Sequence, residues 1–195
     1  MELIHPTLLL ASKSPRRQEL LKAAGINFQL IDVDLEEVYP DDMAVENVPE
    51  YLAKIKAEAA IPFAHDGQLI LAADSVVIMQ DEIYGKPGDR DHAIEMIRSL
   101  AGHKHLVITG VFLCDKHDGL GFSEYTHVWF DLISDEEIIY YVDTFKPFDK
   151  AGAYGIQEWI GWAKVSRIEG SYANVMGLPV QRVYHEIINW GNKQV

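Results

Sequence analysis

The sequence predicts an α/β protein with a mixed, mostly parallel sheet and flanking helices. Short apolar runs that suit buried strands alternate with segments of helical period along the whole chain. Two long β-rich stretches, His103 to Leu113 and Phe122 to Leu132, sit inside that alternation and read as an antiparallel hairpin, so the sheet is mixed. Hydrophobic residues form 48% of the 195 positions, enough to bury a real core.

The elements follow in order. Thr7 to Ala11 is an apolar run fit for a strand buried on both faces. Ser14-Pro15 opens a helix, with Ser14 at the N-cap, Pro15 where its missing N–H costs nothing, and Gly25 as the stop. Phe28 to Val33 is a second strand, and an acidic stretch follows to Asp42. Pro49 to Ala60 is helical, with Leu52, Ile55 and Ala59 on one side and Lys56 near the edge of that face. Leu69 to Ala73 is a third buried strand, expected to end at Asp74-Ser75, with extended chain to Met79 and a turn at Gln80-Asp81-Glu82. After the Gly85-Lys86-Pro87-Gly88 loop, Asp89 to Leu100 is an amphipathic helix. Gly119 and Gly121 are read as part of the hairpin's turn. Ser134-Asp135-Glu136-Glu137 is a capping box. A short strand at Ala163 to Ile168 and a terminal helix opened by Leu178-Pro179 complete the chain. One domain is expected, with any division into lobes near residues 130–145.

Bulk properties narrow the function classes. The formal net charge is -13, and such a surface repels a phosphate polymer, so a broad nucleic-acid interface is not expected. The single cysteine, Cys114, has no disulfide partner and fits a reducing, cytoplasmic compartment. The N-terminus has no signal-peptide pattern, and no apolar run approaches the ~18 residues of a membrane span.

Several constellations carry chemistry. A buried strand running into a helix N-terminus at Ser12-Lys13-Ser14-Pro15-Arg16-Arg17 leaves backbone N–H groups unpaired beside two arginines and two hydroxyls, which makes an anion site. It is not a P-loop, because the glycines and the Lys-Ser/Thr pair are absent. An ordinary capped helix with solvated arginines is the alternative. Asp74, at the end of a buried run, suits a general base or a metal ligand, against a plain turn aspartate. Lys56 and Lys86 are further cations, and Glu36 or Glu37 could share a metal with Asp74. His103 and His105 alternate on a strand without a third metal ligand, and Cys114 lacks a placed base. Tyr154, Trp159 and Trp162 suit a base pocket, core packing or a dimer contact.

These pieces occur in an order that resembles the Maf family of nucleotide pyrophosphatases. The segments are Leu10 to Leu21, Lys56-Ala57, Ala-Asp-Ser-Val-Val at 73–77, Gly-Lys-Pro at 85–87, Asp-Lys-Ala-Gly-Ala-Tyr-Gly-Ile-Gln at 149–157, Gly-Ser-Tyr at 170–172 and Met-Gly-Leu-Pro at 176–179. The resemblance implies a Maf/ITPase-like α/β fold of two lobes around a central cleft, a homodimer, and hydrolysis of a nucleoside triphosphate to the monophosphate and pyrophosphate with a divalent cation, magnesium or manganese. It implies Asp74 as general base, Lys56 and Lys86 as stabilisers of phosphate charge, Arg16, Arg17, Ser12 and Ser14 as phosphate-side residues, and Glu37 with Asp74 on the metal side. Arg16, Ser75 and Gln157 match the positions that sort substrates, and they resemble the branch acting on dTTP and UTP. Two departures stand out: Ser75 where that branch usually has Thr, and the bulky Glu158-Trp159-Ile160-Gly161-Trp162 after the glutamine. A non-catalytic nucleotide-binding regulator of septum formation is the competing expectation, and retention of Asp74, Lys56 and Lys86 together favours catalysis.

Overall fold

Residues 4–193 are described in a computed structural model. The elements are β1 (Ile4–Leu10), α1 (Pro15–Ala23), β2 (Ile26–Leu30), α2 (Val48–Ala60), β3 (Ile70–Met79), β4 (Glu82–Tyr84), α3 (Arg90–Leu100), β5 (Lys104–Cys114), β6 (Gly119–Phe130), α4 (Asp135–Phe145), α5 (Trp159–Lys164), β7 (Val165–Glu169), α6 (Tyr172–Val175) and α7 (Val180–Lys193). The strands hydrogen-bond in the order β2-β1-β3-β5-β6-β7, with β4 on β3, in a mixed sheet flanked by helices as the sequence predicts. The chain forms two compact units. One comprises residues 1–74, 109–124 and 177–195, and the other 75–108 and 125–176. Residues 130–145 lie wholly inside the second unit.

In the first unit β1 runs parallel to both β2 and β3, with Leu9 opposite Ile70 and Leu10 opposite Leu71. Alternation puts Leu8 and Leu10 into one core with Leu21, Leu71, Leu113, Val183 and Ile187. Leu9 and Ala11 enter another with Ala57, Ala60, Ile70 and Ala72. The strand is therefore buried on both faces, as its unbroken apolar run implies. The buried face of α2 is Val48, Leu52, Ala53, Ala57 and Ala60, turned from the expected Leu52-Ile55-Ala59 stripe. Its alanines let the helix lie close to the sheet, and Gly110 on β5 takes the closest approach. A Cβ there would stand 2.1 Å from the Glu50 amide nitrogen and 2.2 Å from the Pro49 carbonyl carbon.

The expected hairpin turn is also corrected in this unit. The hairpin turn is Asp115 to Asp118, where the Asp115 carboxylate accepts from the amides of His117 (2.8 Å) and Asp118 (2.9 Å). Gly119 and Gly121 instead belong to β6, where a side chain at Gly121 would meet the Glu50 carboxylate at 2.6 Å and one at Gly119 the Phe112 ring at 2.9 Å. Close packing rather than turning selects those glycines.

In the second unit, β3 and β4 form a hairpin whose turn residues Gln80 and Asp81 both have positive φ, 53° and 62°. That pair matches the twist of the flanking strands. Asp89 caps α3, accepting from the His92 amide at 2.8 Å. Ser134 and Glu137 form the reciprocal capping box on α4. Val77, Ile97, Leu100, Val128, Phe130, Tyr141 and Tyr154 share one core with Ile160 of α5, a helix the sequence reading passes over. Buried His105 meets the Tyr154 hydroxyl at 2.8 Å, and burial pushes its pKa down to about 3, so it is a neutral core residue. Among the described residues no group of three or more His, Cys, Asp or Glu side chains is arranged to hold a metal ion, so the His103/His105 pair is not one. No described helix is long and apolar enough to cross a membrane.

Gly110→Ala is expected to destabilise the protein by about 1–3 kcal/mol, because the backbone of α2 must move to admit one methyl group. Urea denaturation of the variant against the parent measures this, and an unchanged midpoint would contradict the described packing.

Candidate active site

The parallel register brings the first group of residues together. β1 is last paired at Leu10–Leu71, so the Ser12 turn and Asp74 both follow at the same end of adjacent strands. β3 does not end at Asp74, contrary to the sequence expectation, but continues to Met79. Asp74 and Ser75 are its two partly open positions between fully buried neighbours. A carboxylate can occupy the middle of a strand here because its pairing with β1 has already stopped.

Lys56 supplies the countercharge. On α2 it sits one turn beyond buried Leu52, and its Nζ lies 2.6 Å from Asp74 Oδ1 and 2.7 Å from Glu37 Oε1. The side chains of Lys56 and Asp74 are each only 15% exposed, whereas Glu37 is 46% exposed, so this is a largely buried pair with a partly solvated third member. Glu37 lies in the acidic chain between β2 and α2, which has no regular structure around it. The local chain alone cannot reveal that Glu37, and not Glu36, bonds to Lys56.

Arg17 completes this side. Its Nε donates to the Gly177 carbonyl at 2.7 Å and its Nη1 to Ser12 Oγ at 3.1 Å. The fork therefore ties α1 to the chain just before α7 and orients the turn. Ser12 Oγ also accepts from the Ser14 amide at 3.3 Å. Ser14 occupies the N-cap position, and its side chain makes no cap bond. Burial lowers the Arg17 pKa from its ordinary value. The charges of Asp74 and Glu37 oppose that fall, and that of Arg16 adds to it. These four charged groups and Lys56 thus lie within electrostatic reach of one another. Lys13 instead pairs at the surface with Asp32, 2.8 Å away.

The second unit holds Ser75, Lys86 and Gln157. Lys86 is exposed in its loop, between Gly85 and buried Pro87. The Gly85 carbonyl accepts from the Gly152 amide at 3.0 Å, which fixes the loop against the turn that leads to Gln157. Gly152 has φ +67°, and a Cβ there would stand 2.9 Å from Val77, so glycine is required twice over. Gln157 Oε1 is buried, and no described group donates to it. Of the aromatic candidates, Tyr154 is core, Trp159 packs against that core, and Trp162 is 75% exposed.

Comparison with known proteins identifies the family. Residues 7–190 match the Maf family, described as Maf-like protein. A dTTP/UTP pyrophosphatase of Parabacteroides distasonis is 47% identical over 92% of this chain and 94% of its own length. A dTTP/UTP pyrophosphatase of Phocaeicola vulgatus is 48% identical over the same shares, 92% and 94%. A solved Ham1 protein of Staphylococcus aureus overlaps 64% of this chain and 72% of its own, with 15% identity and a TM-score of 0.47.

Cys114 is buried, and burial together with Asp115 and Glu58 pushes its thiol up to about 11. At pH 8 roughly one thiol in a thousand is then ionised. The native protein is expected to stay unlabelled by a thiol-disulfide reagent such as DTNB on the timescale of minutes, and to react fully once denatured in guanidinium. Rapid stoichiometric labelling of the native protein would reopen Cys114 as a nucleophile.

Proposed function

The chain belongs to the Maf family, and on that premise we propose that it is a nucleoside triphosphate pyrophosphatase acting on dTTP and UTP. The observation that carries the chemistry is the Lys56 ammonium held between Asp74 and Glu37 beside the Arg17 fork. A protein that merely binds nucleotide has no need of a buried carboxylate oriented in this way next to phosphate-binding cations.

In this reading Asp74 takes a proton from water, which attacks the α-phosphorus. The α–β phosphoanhydride bond breaks and pyrophosphate leaves. Lys56 engages one oxygen of Asp74 and orients the carboxylate, so the other oxygen serves the water. Arg16, Arg17, Lys56 and Lys86 stabilise charge on the phosphoryl oxygens and the leaving group. Ser12 and Ser14 line the turn that receives the phosphates, with Ser12 held by Arg17. Ser75 and Gln157 read the base.

A divalent cation, magnesium or manganese, belongs to the same reading. The donor set fits it: Asp74 and Glu37 offer hard carboxylate oxygens within reach of one ammonium group, and magnesium is commonly held by one or two carboxylates together with substrate phosphates. Asp74 and Glu37 would hold it, and when bound it supplies positive charge to the phosphate oxygens. A homodimer and a cytoplasmic location complete the proposal, the latter supported by one buried, unpaired cysteine.

Pyrophosphate release, measured with each common triphosphate and magnesium or manganese, is expected to be fastest with dTTP and UTP. Absence of release from every nucleotide would favour a binding regulator. Asp74→Asn is expected to lower turnover by about 10²–10⁴-fold with the fold intact by circular dichroism. Full activity in that variant would remove Asp74 as the base. Gln157→Leu is expected to narrow the preference for uracil and thymine nucleotides over cytosine ones, and an unchanged ranking would take Gln157 out of base selection.

A further inference from the structure

The segment Glu158 to Trp162 after Gln157 is one of the two departures from the family pattern, and its side chains have no role in the chemistry above. Two of them hold the backbone on either side of Gln157. Trp162 is 75% exposed, yet its indole Nε1–H donates to the Gln157 carbonyl at 2.9 Å. A tryptophan so open contributes little burial, and its specific bond is to that carbonyl. Glu158 is the second. Its carboxylate receives Lys150 Nζ at 3.1 Å and the Tyr141 hydroxyl, and the Tyr141 hydroxyl accepts from the Gly155 amide at 2.9 Å. Lys150 is 10% exposed and Glu158 19%, so this is a largely buried, hydrogen-bonded pair and not a solvated acid. Hydrogen bonding to Glu158 adds to burial in pushing the Tyr141 pKa up.

Two glycines show how tightly the segment is set. A Cβ at Gly155 would stand 2.7 Å from Glu158 Cδ, and one at Gly161 only 1.8 Å from the Ile156 carbonyl oxygen. The first turn of α5 thus folds back onto the residue just before Gln157. Against this fixed backbone the Gln157 amide oxygen is buried with no protein donor. Leaving such an acceptor without a partner is costly, so a donor from an ordered water or a ligand belongs there.

We propose that Trp162 and Glu158 are positioning residues for base selection: they hold Gln157 so that its amide oxygen accepts an imide N–H. Uracil and thymine carry that donor on N3, whereas the N3 of cytosine is an acceptor and meets the amide oxygen with repulsion. The inference rests on the reading of Gln157 as the base-selecting residue. Neither positioning residue touches the reacting atoms, so their loss changes which base is preferred before it changes the rate of phosphoanhydride cleavage.

The test is the ratio of kcat/KM for UTP to that for CTP, with kcat and KM resolved separately, in Trp162→Phe, Glu158→Gln and Gln157→Leu, the last of which removes the acceptor. Trp162→Phe removes the N–H and keeps an aromatic ring at an exposed position, so it is the variant most certain to fold. Glu158→Gln keeps the shape and removes the charge facing Lys150. Each is expected to lower the ratio about fivefold, the effect of one hydrogen bond, through a raised KM for UTP. If Gln157→Leu lowers the ratio while Trp162→Phe and Glu158→Gln lower both substrates equally or change nothing, the positioning role is overturned and the role of Gln157 stands. If Gln157→Leu leaves the ratio unchanged, the base-selecting role falls and the positioning role with it. Calorimetric Kd values for UMP and CMP read the same preference without turnover. An equal effect on both there overturns the proposal even if the protein proves to be no hydrolase.

Discussion

The parallel pairing of β1 with β3 is the constraint from which the candidate site follows. Leu10 faces Leu71, and the pairing goes no further. Everything that comes next on either strand emerges at the same end of the sheet: the Ser12 turn with α1 on one, Asp74 on the other. A shift of one residue in that register would exchange the two faces of β1, because side chains alternate. Leu8 and Leu10 would leave the core they share with Val183 and Ile187, and Leu9 and Ala11 would leave the alanine face of α2. The apolar demand on both faces therefore fixes the register, and the register fixes which polar residues share an end.

Charge balance at that end resolves an apparent conflict. A chain with a net charge of -13 is a poor host for polyphosphate as a whole. The acidic excess is spread over the surface, however, while Lys56 and Arg17 are held in place by specific partners. Lys56 answers two carboxylates, and Arg17 spends its fork on a carbonyl and a hydroxyl. Lys56 lies between Asp74 and Glu37 and holds the two carboxylates together at this end of the sheet.

The sequence makes some of this legible and hides the rest for physical reasons. Strong periodicity and caps mark the strands and the long helices: the Ser134–Glu137 box, the Asp89 cap and the Pro15 start all lie where local chemistry places them. Asp74 misleads, because a polar residue in an apolar run reads as a strand end when only the neighbour's pairing has ended. Gly119 and Gly121 mislead in the opposite sense, since glycine marks close packing as readily as it marks turns. The helix at 159–164 escapes notice because six residues carry too little periodicity to register. The choice of Glu37 over Glu36 depends on where an irregular loop lies relative to α2, which no local pattern encodes.

The Glu158–Trp162 stretch shows why a departure from a family pattern is not always a loosening. Trp159–Lys164 is a short helix, and the Glu158 and Trp162 side chains turn back on its N-terminal flank. Gly161 is the condition for that fold, since any side chain there would meet the Ile156 carbonyl. Rigidity gained in this way acts on selectivity more than on speed. A fixed acceptor discriminates between a donor and another acceptor because it cannot turn to suit both. A mobile glutamine can rotate its amide and offer either its oxygen or its NH₂ group. The Gln157 backbone is tied at its carbonyl, and the next residue's carboxylate is tied to Lys150, so the base of this side chain is held on both sides. Under the proposed base-selecting role, that hold limits the positions from which the amide oxygen meets a base.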